Sequence, residues 1–262
     1  MLNPEMTEKA PELSNQANFT STEREYYSEL AKHFVDTPGT VNDKLNAFAR
    51  YVPRQALATF LARKELFDKI LDVHGHIIEC GIFRGAGLFT WANLSTIYEP
   101  YNHTRRIIGF DTFTGFPDID TRDKAEDNLG LGYKRSGGLA AESAESINTS
   151  IEHYNKNRFI SQIPRVEIVP GDACVTIPQF LDKCKHVVVA LLYLDFDIYK
   201  PTRVAIECLW ERMPSGAVIA FDELNQEQWP GETMAVLDTI GIQALKIQRL
   251  PYQPQIAYAV KS

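Results

Sequence analysis

Two apolar runs that each end in acidic residues decide the fold of this chain: Val187-Val-Val-Ala-Leu-Leu-Tyr-Leu-Asp195 and Gly216-Ala-Val-Ile-Ala-Phe-Asp-Glu223. Their length and apolarity predict two buried strands, and the stretch between them, Thr202 to Arg212, has a helical pattern. Strands joined by a helix run parallel and lie side by side, so both acidic ends fall on the same edge of one sheet. Three carboxylates are therefore expected to share one crevice: Asp195, Asp222 and Glu223.

Carboxylates held this close repel one another unless a cation or a proton lies among them. Ligation by oxygen alone suits a hard divalent ion, so the cluster predicts a magnesium site. A simpler interpretation is that Asp222 and Glu223 cap the following helix, since helix starts favour aspartate. The convergence of three such groups on the edge where open parallel sheets bind ligands favours the metal site.

The composition indicates a protein with one substantial core. The chain has 262 residues, 44% of them hydrophobic, which fits a single domain with an N-terminal extension. A net charge of -7 and a pI near 5.4, without a basic stripe, argue against nucleic acid or an anionic membrane as partner. The four cysteines have neither metal-binding nor disulfide spacing. Because the sequence lacks a signal-peptide pattern and a run long enough to span a bilayer, we expect a cytoplasmic location.

The order of patterns along the chain predicts an α/β fold. Residues 1–22 are polar and predict a flexible tail, whereas residues 23–71 have helical periodicity and predict a helical cap or lid over the ligand edge. From residue 72 to 262, seven strand-like runs alternate with helical runs, which predicts a mostly parallel sheet with helices on both faces. The last two runs, Ala244 to Leu250 and Gln255 to Val260, predict a C-terminal antiparallel hairpin.

A glycine-rich turn follows the first strand, in Ile77-Ile-Glu-Cys-Gly-Ile-Phe-Arg-Gly-Ala-Gly87. Its spacing, GxxxGxG, differs from the GxGxxG of dinucleotide binders, although its glycines allow a ligand close to the backbone. Asp111 ends the next strand, where an acidic side chain can accept both hydroxyl hydrogens of a ribose, and Asp172 follows the third strand, where it can meet an adenine edge. Each feature alone also describes an ordinary turn. In this order they predict an adenosine ligand without phosphates, which S-adenosylmethionine fits better than a nicotinamide dinucleotide does.

Several motifs resemble those of the macrocin O-methyltransferase (TylF/MycF/NovP-type) family, from about residue 44 to the end of the chain. They are Glu79-Cys-Gly-Ile-Phe-Arg-Gly-Ala-Gly87, Gly109-Phe-Asp-Thr-Phe-Thr-Gly-Phe-Pro117, Leu194-Asp-Phe-Asp-Ile-Tyr-Lys-Pro-Thr202, and Phe221-Asp-Glu-Leu224 followed by Trp229-Pro-Gly-Glu-Thr-Met-Ala235. The resemblance implies a Rossmann-like class I methyltransferase that uses S-adenosylmethionine and a magnesium ion to methylate a hydroxyl of a deoxysugar, either nucleotide-activated or part of a glycoside. It also implies a homodimer.

Carried over position by position, the resemblance implies two sets of site residues. The cofactor set is Glu79, Gly81 and Gly85 at the methionine end, Asp111 at the ribose and Asp172 at the adenine. The metal set is Asp195, Asp222 and Glu223.

Three segments depart from the family pattern. Glu223 stands where the family usually has aspartate, Phe83-Arg-Gly-Ala-Gly87 replaces Trp-Arg-Gly-Gly-Ser, and Phe196 replaces a glycine between two aspartates. The longer arm of Glu223 is expected to alter metal geometry or preference, and the ring of Phe196 to alter the choice of acceptor.

The expected reaction is attack of a hydroxyl oxygen on the methyl group of a sulfonium. A divalent ion that chelates two neighbouring hydroxyls lowers their pKa and makes proton removal feasible near neutral pH. Asp195 is the first candidate for a combined metal ligand and general base, whereas Asp197 is predicted to cap the helix that begins near Pro201. Two alternatives stay open: methylation of a catechol-like or other vicinal diol, for which the same metal chemistry serves, and a non-catalytic module that only binds S-adenosylmethionine.

Overall fold

The computed structural model of the protein describes residues 20–124 and 134–262. The predicted tail, residues 1–22, therefore lies almost entirely outside the described residues. Residues 125–133 also lie outside them, and they belong to the loop from Thr112 to Gly138, which we expect to shape the acceptor pocket. The chain divides into two compact units, residues 1–58 and 59–262.

Helices make up most of the described first unit. They are α1 (Ser21–Asp36) and α2 (Val41–Asn46), followed by a short 3-10 helix at Phe48–Arg50. Thr20 and Thr40 begin α1 and α2 with capping boxes, in which the threonine hydroxyl and an acidic side chain three residues later satisfy free backbone N–H groups. The helical periodicity between residues 23 and 71 thus corresponds to these helices and to α3 (Arg54–Lys69), which continues into the second unit.

The second unit contains the predicted seven-stranded, mostly parallel sheet. Its parallel strands are β1 (His76–Cys80), β2 (Ile107–Asp111), β3 (Val166–Pro170), β4 (Val189–Leu194) and β5 (Val218–Phe221). The predicted antiparallel hairpin consists of β6 (Gln248–Leu250) and β7 (Gln253–Val260), and β7 also pairs antiparallel with β5. The order across the sheet is β3-β2-β1-β4-β5-β7-β6. Because β1 lies between β2 and β4, the direction of winding reverses there, which creates the crevice where open α/β sheets bind ligands.

Helices cover both faces of the sheet, as predicted. On one face, α3 packs with α4 (Ala86–Tyr98) and α5 (Ala144–Lys156), and on the other lie α6 (Ala173–Lys183), α7 (Tyr199–Leu209) and α8 (Pro230–Asp238). Alternate side chains of β4 enter the two apolar clusters: Leu191 and Tyr193 join the first, and Leu192 and Leu194 join the second. The near-continuous apolar run of β4 is therefore explained by burial on both faces.

Two predicted boundaries are wrong. The strand predicted from Ala244 is short, since Ile242–Ala244 forms a 3-10 helix and β6 begins only at Gln248. The helical pattern from about Leu139 to Asn155 also predicts a helix, which begins only at Ala144. Leu139 has a positive φ of 58°, and the hydroxyl of Ser143 accepts the N–H of Ser146 as an N-cap. Within the described ranges, no helix has both the length and the apolar character needed to cross a bilayer.

Candidate active site

The carboxyl ends of β1 and β4 contact each other at the reversal point of the sheet. Asp195 directly follows β4, and its backbone N–H donates to the carbonyl oxygen of Cys80 across 2.8 Å. A Cβ atom on Gly81 would lie 1.9 Å from the carbonyl oxygen of Asp195, and Gly81 has a φ of +99°. Only glycine permits both that backbone conformation and that approach. The glycine-rich turn and the segment of Asp195 are therefore joined backbone to backbone.

The glycine-rich turn is held in a curved shape by Asp111. Oδ2 of Asp111 accepts the N–H groups of Ile82 and Phe83 at 2.7 and 2.9 Å, and Oδ1 accepts the N–H of Phe113 at 2.7 Å. Gly85, with a φ of +82°, ends the turn as the N-cap of α4. A carboxylate offers about four acceptor positions. One acceptor position thus remains on Asp111 by this count, and its contact with a ribose stays a prediction.

Glu79 is buried beneath the turn. Its Oε1 lies so near the Cα of Gly87 that a Cβ there would be 1.7 Å away, and its Oε2 has no hydrogen-bond partner among the described residues. Burial raises the pKa of Glu79 to about 8, although the positive charge of Arg63 opposes that rise. A buried carboxyl oxygen without a donor favours a ligand that brings one. The ammonium group at the methionine end of S-adenosylmethionine is such a ligand, so the turn and Glu79 fit this cofactor.

Asp172 has a visible structural role at the end of β3. It is the N-cap of α6, and its Oδ1 accepts the N–H of Cys174 at 2.9 Å. The side chain therefore shapes the turn at the cofactor edge of the sheet. Its contact with an adenine ring stays a prediction.

Acidic side chains gather at the ends of β4 and β5. Asp195, Asp197 and Glu223 each offer one carboxylate oxygen, and these oxygens all lie within 4.8 Å of one another. Oxygens bound to one magnesium ion lie at most about 4.2 Å apart, and those on a calcium ion somewhat farther. Oε2 of Glu223 is buried without a hydrogen-bond partner among the described residues. The spacing, the oxygen-only donor set and this unpartnered atom fit a hard divalent cation.

Asp222, the third predicted ligand, is not among these three close oxygen donors. Its Oδ1 accepts a hydrogen bond from the hydroxyl of the fully buried Tyr193 at 2.5 Å. Burial, and next the charge of Asp222, raise the pKa of Asp197 to about 7 and those of Asp195 and Glu223 well above their usual values. Asp222 is thus the strongest charged neighbour of the three carboxyls, although it is not one of the three closest oxygen donors.

The predicted capping role of Asp197 is wrong. Asp197 has a positive φ of 62°, and the N-cap of α7 is Ile198, whose side chain makes no capping bond. Asp123 replaces it, because its Oδ1 accepts the N–H of Tyr199 at 2.7 Å. The left-handed residue turns the chain after β4, and the carboxyl group of Asp197 joins Asp195 and Glu223. The available signal in the sequence was a second aspartate two residues after Asp195.

Two further buried charged residues adjoin the site and were missed in the sequence. Arg63, on α3, has Nη2 3.7 Å from Oδ2 of Asp195 and its guanidinium 5.1 Å from the ring centre of Tyr193. Glu232, in the first turn of α8, accepts the N–H of Glu223 with Oε1 at 3.0 Å. Arg63 lies three residues before Leu66 on the buried face of α3, so a charge at a core position was the available signal.

Comparisons with known proteins find a matching family model and similar solved structures. A family model described as Macrocin-O-methyltransferase (TylF) matches residues 47–238. The crystal structure of CalS11, a calicheamicin methyltransferase, is 30% identical with a TM-score of 0.87 over 97% of this chain and 99% of that chain. An apo structure of CalS11, described as a TDP-rhamnose 3'-O-methyltransferase of calicheamicin biosynthesis, is 30% identical with a TM-score of 0.79 over 92% and 95% of the two chains.

A more distant structure shares the fold. The O-methyltransferase NovP is 18% identical, with a TM-score of 0.61 over 78% of this chain and 80% of that chain. No curated protein sequence matches the chain.

Proposed function

Because the chain belongs to the macrocin O-methyltransferase family, we propose that it transfers a methyl group from S-adenosylmethionine to a hydroxyl of a nucleotide-activated deoxysugar with the help of a divalent cation. The observation that carries this proposal is the contact between the glycine-rich turn and the carboxylate group, at Gly81 and Asp195. It brings a site that fits the methyl donor next to a site that fits a metal. The choice of acceptor is supported by the similarity to CalS11, described as a TDP-rhamnose 3'-O-methyltransferase.

On the donor side, S-adenosylmethionine supplies an electrophilic methyl group on a positively charged sulfur. Glu79 offers its unpartnered Oε2 to the ammonium group, and Asp111 offers one remaining acceptor position to the ribose. Gly81 and Gly85 have positive φ angles, which glycine adopts without strain. Because they have no side chains, they leave room for the ligand beside the backbone. These contacts fix the methyl donor relative to the end of β4. Such positioning of the reactants lowers the activation barrier.

On the acceptor side, Asp195, Asp197 and Glu223 would hold the divalent cation, with Asp222 as a fourth carboxyl beside them. The bound cation would supply Lewis acidity, which lowers the pKa of a sugar hydroxyl. Asp195 is assigned as the group that receives the hydroxyl proton, since it is the carboxylate whose backbone contacts the cofactor turn. Arg63 places a positive charge 3.7 Å from Asp195 and stabilises its ionised form.

The test is methyl transfer from labelled S-adenosylmethionine to two panels, one of deoxysugars, both nucleotide-activated and glycoside-linked, and one of catechols. We expect a deoxysugar to be methylated, a chelator to stop the reaction and Mg2+ to restore it. Asp195→Ala is expected to bind S-adenosylmethionine and to transfer no methyl group. Asp68→Ala is the matched control, because that exposed carboxylate pairs with Lys64 near the end of α3, which leads to the start of β1 at the opposite edge of the sheet.

Each contrary result identifies a different error. Full activity in the chelator would contradict the role of the cation. Methylation of catechols but of no sugar would favour the vicinal-diol alternative. Binding of S-adenosylmethionine without transfer to either panel would favour the non-catalytic module.

A further inference from the structure

The first turn of α8 holds the segment that leaves β5. Glu232 is fully buried, and its Oε1 accepts the backbone N–H of Glu223 at 3.0 Å. The hydroxyl of the next residue, Thr233, accepts the N–H of Asn225 at 2.9 Å, where the chain has a positive φ of 67°. Two successive residues of one helix therefore satisfy two backbone donors of the loop that carries Glu223.

The same turn also lies against the segment that leaves β4. A Cβ atom on Gly231 would be 1.9 Å from Oδ1 of Asp123 and 2.6 Å from the backbone nitrogen of Tyr199. That oxygen of Asp123 accepts the N–H of Tyr199, two residues after Asp197. Gly231 thus allows α8 to contact the start of α7. One helical turn therefore fixes the positions of both acidic segments relative to each other.

Glu232 does not itself belong to the group of close oxygen donors. Within the described part of the chain, that group consists of Asp195, Asp197 and Glu223. Glu232 contacts it through the backbone N–H of Glu223, and the second carboxyl oxygen of Glu232 has no hydrogen-bond partner among the described residues. Its side chain extends from the first turn of α8, so the length of that side chain limits how far the acceptor oxygen reaches from the helix. Such outer contacts orient metal ligands and commonly affect metal affinity.

We propose that Glu232 is a positioning residue that orients Glu223 toward the carboxylate group, and that it acts through the reach of its acceptor oxygen rather than through its charge. The inference rests on the proposed function, because it assumes that the group binds a divalent cation. According to this proposal, α8 keeps the carboxylate of Glu223 close to those of Asp195 and Asp197.

Two substitutions separate reach from charge. Glu232→Gln keeps the length and a carbonyl acceptor for the N–H of Glu223 but removes the ionisable carboxyl group. Glu232→Asp keeps an ionisable carboxyl group but withdraws the acceptor by one methylene. The control is Glu227→Asp, which shortens an exposed glutamate of the same loop. Thermal unfolding of each variant verifies that it is folded.

The measurement is the Kd for Mg2+, by calorimetry on the whole chain with S-adenosylhomocysteine bound, together with hydrogen exchange of the Glu223 amide. We expect Glu232→Asp to raise the Kd by about 10-fold to 100-fold. Its Glu223 amide should exchange faster. Glu232→Gln should stay within about threefold of the wild-type Kd, because it retains the acceptor.

A Kd that rises in Glu232→Gln and not in Glu232→Asp would overturn the inference, because the ionisable carboxyl group and not its reach would then determine the affinity for Mg2+. Unchanged Kd values in both variants would overturn it as well. A wild-type chain that binds no Mg2+ would contradict the proposed function instead, and the two failures are therefore distinguishable.

Discussion

Oε1 of Glu79 occupies the place that a side chain on Gly87 would need, since a Cβ there would lie 1.7 Å from it. Gly87 lies inside α4, where alanine would normally be favoured by about 1 kcal/mol. Overpacking of a buried site costs about 1–3 kcal/mol and exceeds that gain. The glycine is therefore explained by the buried carboxyl group of Glu79 and not by the backbone of the helix.

Gly87→Ala is predicted to lower the free energy of unfolding by about 1–3 kcal/mol and to weaken binding of S-adenosylmethionine. Urea denaturation and a binding titration measure the two effects. In the double variant Glu79→Ala/Gly87→Ala, the clash is gone, so the added alanine at position 87 should no longer destabilise. Equal costs of Gly87→Ala with and without Glu79 would show that the clash is not the cause.

Tyr193→Phe removes the hydroxyl through which the fully buried Tyr193 donates to the half-buried Asp222. Hydrogen bonds to charged groups contribute about 1.5–3 kcal/mol, so we expect a loss of stability of that size and weaker Mg2+ binding. Tyr252→Phe is the matched control, because its hydroxyl donates to Glu65 at 2.8 Å on the exposed surface. Such surface contacts contribute little. Similar losses in both variants would refute the special role of the Tyr193–Asp222 bond.

Asp197→Asn is predicted to separate stability from activity. Asparagine tolerates the left-handed backbone at this position, where φ is 62°. With a chelator present, loss of one carboxyl from the group should relieve repulsion and raise Tm by about 2–4 °C for each kcal/mol gained. Activity with Mg2+ should fall about 100-fold. Asp68→Asn, at an exposed ion pair on α3, should change neither. An active Asp197→Asn variant would exclude Asp197 from the site.

His76 is predicted to make the fold sensitive to acid. Burial, and next the charge of Arg106, lower the pKa of His76 from 6.5 to about 4, and its Nδ1 accepts the N–H of Arg106 at 3.1 Å. Between those two pH values the unfolded chain binds a proton that the folded chain does not. Stability is therefore fully present above the higher value and falls as the pH decreases toward the lower one.

The variant His76→Asn keeps an acceptor oxygen near the place of Nδ1 but does not titrate. We expect its free energy of unfolding to decline less than that of the wild type over this pH interval, as measured by urea denaturation. His103→Asn replaces an exposed histidine and should behave as the wild type does. Parallel curves for the wild type and His76→Asn would contradict this account.

The sheet was predictable because its strands are buried on both faces. The apolar runs at residues 187–194 and 216–221 admit few other interpretations, and the strand ends place Gly81 and Asp195 on one edge. The bounds of helix α8 were not predicted, because Pro230 and Gly231 have low helix propensity. Proline, however, suits the first position of a helix, and Gly231 is needed beside Asp123.

The roles of the individual carboxyl groups depend on tertiary contacts, which the periodicity of the sequence does not predict. The membership of Asp197 follows from one left-handed residue. The bond of Asp222 to Tyr193 and that of Glu232 to Glu223 join residues on different elements, at strand ends whose register is fixed only when the sheet forms. Acidic residues at strand ends could therefore be predicted as a group, but not their separate roles.

The most direct test of the cation site is a crystal structure of the protein with S-adenosylhomocysteine and Mn2+, read from the anomalous signal of the metal. The account predicts one peak within bonding distance of carboxylate oxygens of Asp195, Asp197 and Glu223, beside the sulfur of the cofactor product. Fully loaded crystals in which these carboxylates carry no peak, or in which the only peak lies elsewhere, would contradict it.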